Sequence, residues 1–205
     1  MTSHLPPLSS SNIMNWTQGT WTHPPLKVSS EDGTDMLVHC AEGSDAWRTT
    51  SYGFIHDSEH ALIAPLAPGH AVEVTFTPDF DHQFDQAGVF LSANNSTWIK
   101  AGVEFCDGAP QLGAVVTLGK SDWSVAPVPE WAGHRVTIRA SRSGDAVTIR
   151  AWIDGNRVSS RLVRVCPFPA EAAVSAGPFC CAPTRAGLVA RFHSWVVTPA
   201  DGALH

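Results

Sequence analysis

Apolar residues in this chain recur at every second position more often than at helical spacing. In "WIKAGVEF", Trp98 to Phe105, alternation puts Ile99, Ala101, Val103 and Phe105 on one face of a strand, and Trp98, Lys100, Gly102 and Glu104 on the other. The same period of two marks residues 35–41, 60–66, 70–78, 86–92, 98–105, 113–119, 134–141, 146–154, 157–165 and 187–197, each predicted to be a strand. Turn-forming stretches such as "SGD" and "DGN" join neighbours into hairpins. Only "FPAEAAVSA", residues 168–176, looks helical, and it is short.

Many strands without intervening helices predict an all-β fold, a jelly-roll sandwich of two antiparallel sheets. The chain's 15 prolines and 16 glycines cut it into short pieces, and its 43% hydrophobic content suffices for a core. No repeat or low-complexity linker divides it. The expected organisation is a flexible N-terminal tail over 1–14, a single domain over 15–198 and a C-terminal tail over 199–205.

Charge and cysteine usage then narrow the partners. With 19 acidic against 13 basic residues and no run of like charge, neither nucleic acid nor a membrane surface is an expected partner. The opening "MTSHLPPLSSSNIM" lacks a basic region followed by an apolar core, and no apolar run is long enough to span a bilayer, so a soluble, cytoplasmic protein is expected. The 5 cysteines fit reduced thiols better than a disulfide framework. Neither CxxC nor HExxH occurs, and the acidic loop "DFDHQFD", Asp79 to Asp85, lacks EF-hand spacing; no metal or other cofactor is expected. Nothing near Cys180 and Cys181 signals a reactive thiol, despite His193 on the following strand. GxSxG, P-loop and dinucleotide fingerprints are all missing. Monomer and dimer remain equally open.

Five stretches taken together resemble a known family: "DAWRTTSYGFIHDSEH" (45–60), "FDQAGVFL" (84–91), "WIKAGVEFCDG" (98–108), "VVTLGKSDWS" (115–124) and "AGPFCCAPTRAGLVARFHSW" (176–195). They look like the regulation-of-enolase-like family, a domain of unknown function with the concanavalin-A-like lectin/glucanase fold. The resemblance implies that fold. One fungal relative is linked to control of an enolase, and the wider superfamily holds lectins, glucanases and sugar lyases, so chemistry does not follow from fold. The E-x-D-x-x-E arrangement of jelly-roll glucanases is absent, which disfavours that activity.

A candidate site emerges where "DQAGVFL" and "WIKAGVEF" form a hairpin. If their apolar residues share the buried face, Gln86, Gly88 and Phe90 share the other with Trp98, Lys100, Gly102 and Glu104. Paired Gly88 and Gly102 leave a floor without side chains, which suits either close approach of a ligand or strong curvature of the sheet. Lys100 and Glu104 lie about 13 Å apart along the strand, at roughly 3.3 Å per residue, and could orient a substrate or act on it. Thr117, and Asp122 and Trp123 of "SDWS", could add a rim. In "WRTTSYGFIHD", strict alternation aligns Arg48, Thr50, Tyr52, Phe54 and His56. Arg48 could stabilise negative charge, Tyr52 position a substrate, and His56 exchange protons near neutral pH.

The expected function is binding of a sugar, polyol or other oxygen-rich metabolite on the concave sheet face. The alternative is a cofactor-independent lyase, isomerase or cyclase with Glu104, His56 and Lys100 catalytic; a second is a regulatory interaction module.

Overall fold

The computed structural model describes residues 12–30 and 33–203. Two antiparallel sheets account for most of them. One sheet has the order β15 (Arg161–Pro167), β14 (Ala146–Ile153), β13 (Val136–Ser143), β8 (His70–Thr77), β17 (Val189–Pro199), β4 (Met36–His39) and β3 (Lys27–Ser29), with β1 (Asn12–Ile13) also pairing β17. The other runs β12 (Lys120–Pro127), β11 (Ala109–Leu118), β10 (Thr97–Cys106), β9 (Gln86–Asn94), β16 (Ser175–Cys181), β7 (His60–Pro65) and β2 (Thr20–Trp21). A separate ribbon pairs β5 (Ala46–Arg48) with β6 (Ile55–Asp57). Among the described residues no helix is long and apolar enough to cross a membrane.

The core lies between the sheets, where the period of two turns one set of side chains inward. Ala87, Val89 and Leu91 of β9 meet Ile99, Ala101 and Val103 of β10, opposite Val72, Val74 and Phe76 of β8 and Ile138 of β13. The β9–β10 register pairs Gln86 with Glu104, Gly88 with Gly102 and Phe90 with Lys100, so the expected sharing of faces holds.

Three expectations need correction. "SDWS" is not a rim loop but part of edge strand β12, whose residues 122–127 are exposed and so show no apolar alternation. Residues 168–174 form no helix: prolines 167 and 169 interrupt them, and the buried Arg142 guanidinium donates to the carbonyls of Pro169, Ala170 and Ala172. Residues 157–159 make a 3-10 turn, and the strand begins at Arg161.

The domain also reaches past 15–198. Asn12 and Ile13 pair with Val197 and Val196, and the Met14 amide donates to the Trp195 carbonyl. Asp201 receives two bonds from Arg139 at 3.0 and 2.9 Å. The rest of the expected N-terminal tail, residues 1–11, lies outside the described residues, as do 204 and 205.

The ribbon folds over the outer face of the seven-stranded sheet. Beneath it a second apolar cluster forms from Ala46, Ala61, Phe90, Trp98, Val115, Phe179 and Cys181. Burial of each aromatic ring here contributes roughly 2–3 kcal/mol.

Candidate functional site

The outer face of the seven-stranded sheet is built in rows, because partners across antiparallel strands share a face. One row holds Phe90, Lys100, Val115 and Trp123; the next holds Phe179, Gly88, Gly102, Gly113 and Val125; the third holds Gln86, Glu104 and Gln111. Three glycines on adjacent strands therefore separate the lysine from the glutamate. Close backbone packing requires them: a methyl group on Gly88 would meet the Ala101 carbonyl oxygen, one on Gly102 that of Ala87, and one on Gly113 that of Ser124. The same absence of side chains opens a shallow floor bordered by Gln86, Lys100, Glu104 and Trp123.

Over this floor lies a cavity of about 220 Å³ between sheet and ribbon. Asp45, Gln86, Lys100 and Glu104 supply its polar groups, and Trp47, Tyr52, Phe54, Phe84 and Trp123 its aromatic walls. Lys100, only 4% exposed, places Nζ 2.7 Å from Asp45 Oδ1. The same oxygen accepts the Ala46 amide at 2.8 Å and Gln86 Nε2 at 3.4 Å. Burial opposes the Lys100 charge, but the Asp45 carboxylate and Glu104 outweigh it and hold the amine above its usual range.

Glu104 is the exceptional group. Its Oε1 is buried with no hydrogen-bond partner among the described residues. Burial pushes its carboxyl up to about 7, with Lys100 pulling the other way and Asp45 and Asp107 adding to the rise. A carboxyl of that kind holds or releases a proton near neutral pH, as a general acid or base must.

Local backbone geometry positions the walls. Phe84 takes φ +68°, uncommon for a side-chain-bearing residue. Its amide donates to Phe105 O at 2.6 Å and its carbonyl accepts Gln86 Nε2 at 3.1 Å, which fixes ring and amide together. The ribbon turns through left-handed Thr49 (φ 56°), Ser51 (φ 63°) and Gly53 (φ 77°). That turn breaks strict alternation and sets Tyr52 parallel to Phe54, centroids 5.2 Å apart and planes 9° apart, with Trp47 edge-on to Tyr52 at 5.7 Å.

Of the residues singled out in the sequence, Tyr52, Gln86, Lys100, Gly102, Glu104 and Trp123 converge on this cavity or its floor. The others do not. Phe90 and Trp98 stack on each other at 5.6 Å inside the second cluster, 3% and 4% exposed, so they seal the ribbon down and offer no ligand platform. Gly88 is buried beside them. Arg48 donates to the Asn95 carbonyl at 3.1 Å and to that of Gly119 at 3.4 Å, clasping two turns together. Thr117 is fully buried and bonds Ser121, whose hydroxyl accepts the Arg48 amide. His56 stands exposed, edge-on to Phe54, outside the cavity. Asp122 pairs with Arg164 at 2.6 Å, away from the rim.

Sequence reasoning missed Asp45, Trp47 and Phe84, and did not assign Phe54 to the site. The Asp45–Lys100 pair spans 55 residues and leaves no local pattern. The run of aromatics at 47, 52 and 54 was the one available signal for the wall.

Other chemical clusters lie elsewhere. Asp81, His82 and Asp85 bring ligand atoms together, but Arg185 already pairs with Asp85 at 2.7 Å and Asp81 at 3.1 Å. His23, Asp57 and Glu59 form a second such group, with His23 3.6 Å from the buried Glu59 carboxyl. The five cysteines are free and buried. Burial pushes the thiols of Cys180 and Cys181 well up, which argues against a thiolate nucleophile.

The chain is similar to a known family and to several of its relatives. The model of the family described as "Protein of unknown function (DUF1349)" matches residues 21–200. "Regulation of enolase protein 1" of Saccharomyces cerevisiae is 34% identical over 190 residues, 92% of this chain and 94% of that protein. An uncharacterized protein of Emericella nidulans is 28% identical over 145 residues, 67% of this chain and 72% of its own. Among solved structures, one of a functionally unknown protein from Saccharomyces cerevisiae has a TM-score of 0.85 at 33% identity, covering 92% of this chain and all of its own. A xylan beta-1,4-xylosidase from Bacillus halodurans has a TM-score of 0.61 at 13% identity, over 80% of this chain and 32% of that enzyme, a likeness of fold alone.

Proposed function

We propose that this chain, which belongs to the DUF1349 family with its regulation-of-enolase relative, binds a small hydroxylated ring, a sugar or polyol, in the cavity under the β5–β6 ribbon. The observation that carries the reading is the pairing of aromatic walls with a buried polar floor in which Glu104 Oε1 has no partner. Aromatic faces pack on the apolar faces of a ring, while Gln86 and Glu104 can bond its hydroxyls. A volume of about 220 Å³ suits one ring. Carbohydrate-active enzymes among proteins of like fold are consistent with this reading without carrying it.

A second reading is favoured by one observation, the carboxyl poised near pH 7. In it Glu104 exchanges a proton with the bound ring and the site is that of a cofactor-independent lyase or isomerase. His56 has no part in it, since it lies outside the cavity.

The test is titration of the protein with glucose and glucosamine, followed by tryptophan fluorescence and ligand-observed NMR. Saturable binding of either sugar, weakened roughly tenfold by Trp123→Ala, is expected. Absence of saturable binding to the wild-type protein would overturn the sugar reading.

A further inference from the structure

The charges around the cavity point to a narrower class of ligand. Asp45 and Lys100 neutralise one another at 2.7 Å, so the net charge that Lys100 offers an anionic ligand is already offset. Arg48 bonds turn carbonyls outside the cavity. A phosphorylated or carboxylated ligand would share the one lining cation with Asp45 and would meet Glu104 as a like charge.

Glu104 presents the opposite case. Three charged residues line the cavity, Asp45, Lys100 and Glu104. Once the first two are paired, an ionised Glu104 leaves the lining with one net negative charge. Glu104 lines the cavity half-buried with its Oε1 unpartnered, and a carboxylate so placed is stabilised by a ligand that brings its own positive charge. Lys100 lies four residues along β10, about 13 Å by backbone rise, and on the far side of the glycine row. Lys100 tempers the Glu104 charge across that row, while its own direct contact is with Asp45.

The walls favour the same choice. Trp47, Tyr52, Phe54, Phe84 and Trp123 surround the floor, and the face of an aromatic ring attracts a cation through its quadrupole. A neutral ring could pack on these faces, but a charged one also adds a counter-charge beside Glu104, which otherwise has only the Asp45-bound Lys100.

We propose that the pocket selects an amine-bearing hydroxylated ring, an amino sugar, whose ammonium group pairs with the Glu104 carboxyl while Tyr52 and Trp123 hold the ring. This inference rests on the cavity being a sugar site and adds the charge of its occupant.

Glucosamine, glucose and N-acetylglucosamine separate the possibilities, because acetylation removes the charge from an otherwise similar ring. Titrations are made slightly above neutral pH with the wild-type chain and with Glu104→Gln, whose fold is verified by thermal melting. Glucosamine is expected to bind roughly tenfold more tightly than the two neutral sugars, and that preference to vanish in Glu104→Gln. Equal binding of all three sugars would overturn the amino-sugar inference and leave the sugar site standing. A preference for glucosamine that survives Glu104→Gln would also overturn it, since another group would then recognise the amine. Failure of all three sugars to bind removes both readings. Should Glu104→Gln not fold, the wild-type chain decides: well below pH 7 Glu104 is protonated while the amine stays charged, so the glucosamine preference must shrink there, and an unchanged preference overturns the inference.

Discussion

The β9–β10 hairpin carries two regions on one outer face that its sequence does not tell apart. At one end Phe90 and Trp98 lie under the ribbon with Phe179, almost fully buried. At the other, Gln86 and Glu104 border a cavity, and Lys100 stands between the two. What differs is the cover. The ribbon sets apolar Ala46 into the cluster over the first region, whereas it sets Asp45 and aromatic edges over the second. A polar face borders a cavity here only where a distant segment encloses it without filling it.

The largest expected effect breaks the sealed half. Trp98→Ala removes an indole that is 4% exposed and stacked on Phe90, and should destabilise the fold by about 3–5 kcal/mol. Denaturant unfolding measures this directly. If Trp98 were instead a ligand platform, the loss would be small and would fall on binding.

This contrast shows how far the sequence could be read. Alternation in "DQAGVFL" and "WIKAGVEF" was enough to predict the strands, their shared faces and the glycine pair, because one buried face fixes register. It could not show whether the outward face meets water, a ligand or a second layer. Residues 45–57 were harder still. Their turn uses Thr49 and Ser51 in left-handed conformations where a glycine would have announced it, so a hairpin read as one strand and Arg48 and His56 were aligned with Tyr52. Strand β12 was hidden for a different reason: an edge strand with exposed side chains on both faces has no periodicity to detect.

The next effect sharpens the comparison from the open half. Glu104 is held near 7 in the folded chain, against 4.5 when unperturbed. The native state therefore binds more protons than the unfolded state between these values, and stability falls as pH rises from about 4.5 through about 7. The groups facing Glu104 are Lys100 and Cys106 on its own strand, Asp45 from the ribbon, and Asp107 just past the strand end. The fall is on the order of 3 kcal/mol. Glu104→Gln should flatten that slope and stabilise the protein above neutral pH, as read by melting temperature across the range. Trp98→Ala, which removes no charge, should lower stability at every pH and leave the slope intact.

The smallest effect on stability is the most direct probe of the cavity. Tyr52 is 62% exposed, and it stacks on Phe54 at the tip of the ribbon, so Tyr52→Ala should change stability by under about 1 kcal/mol. Its ring nevertheless lines the cavity together with Trp123 of edge strand β12. A ligand held between them should lose several-fold in affinity while the melting temperature hardly moves. The two halves of the hairpin then separate by measurement: at Trp98 the loss appears in stability, and at Tyr52 it appears in binding. If Tyr52→Ala left sugar affinity unchanged, the ribbon would be only a cover for the second cluster, and the cavity beneath it a by-product of the glycine row.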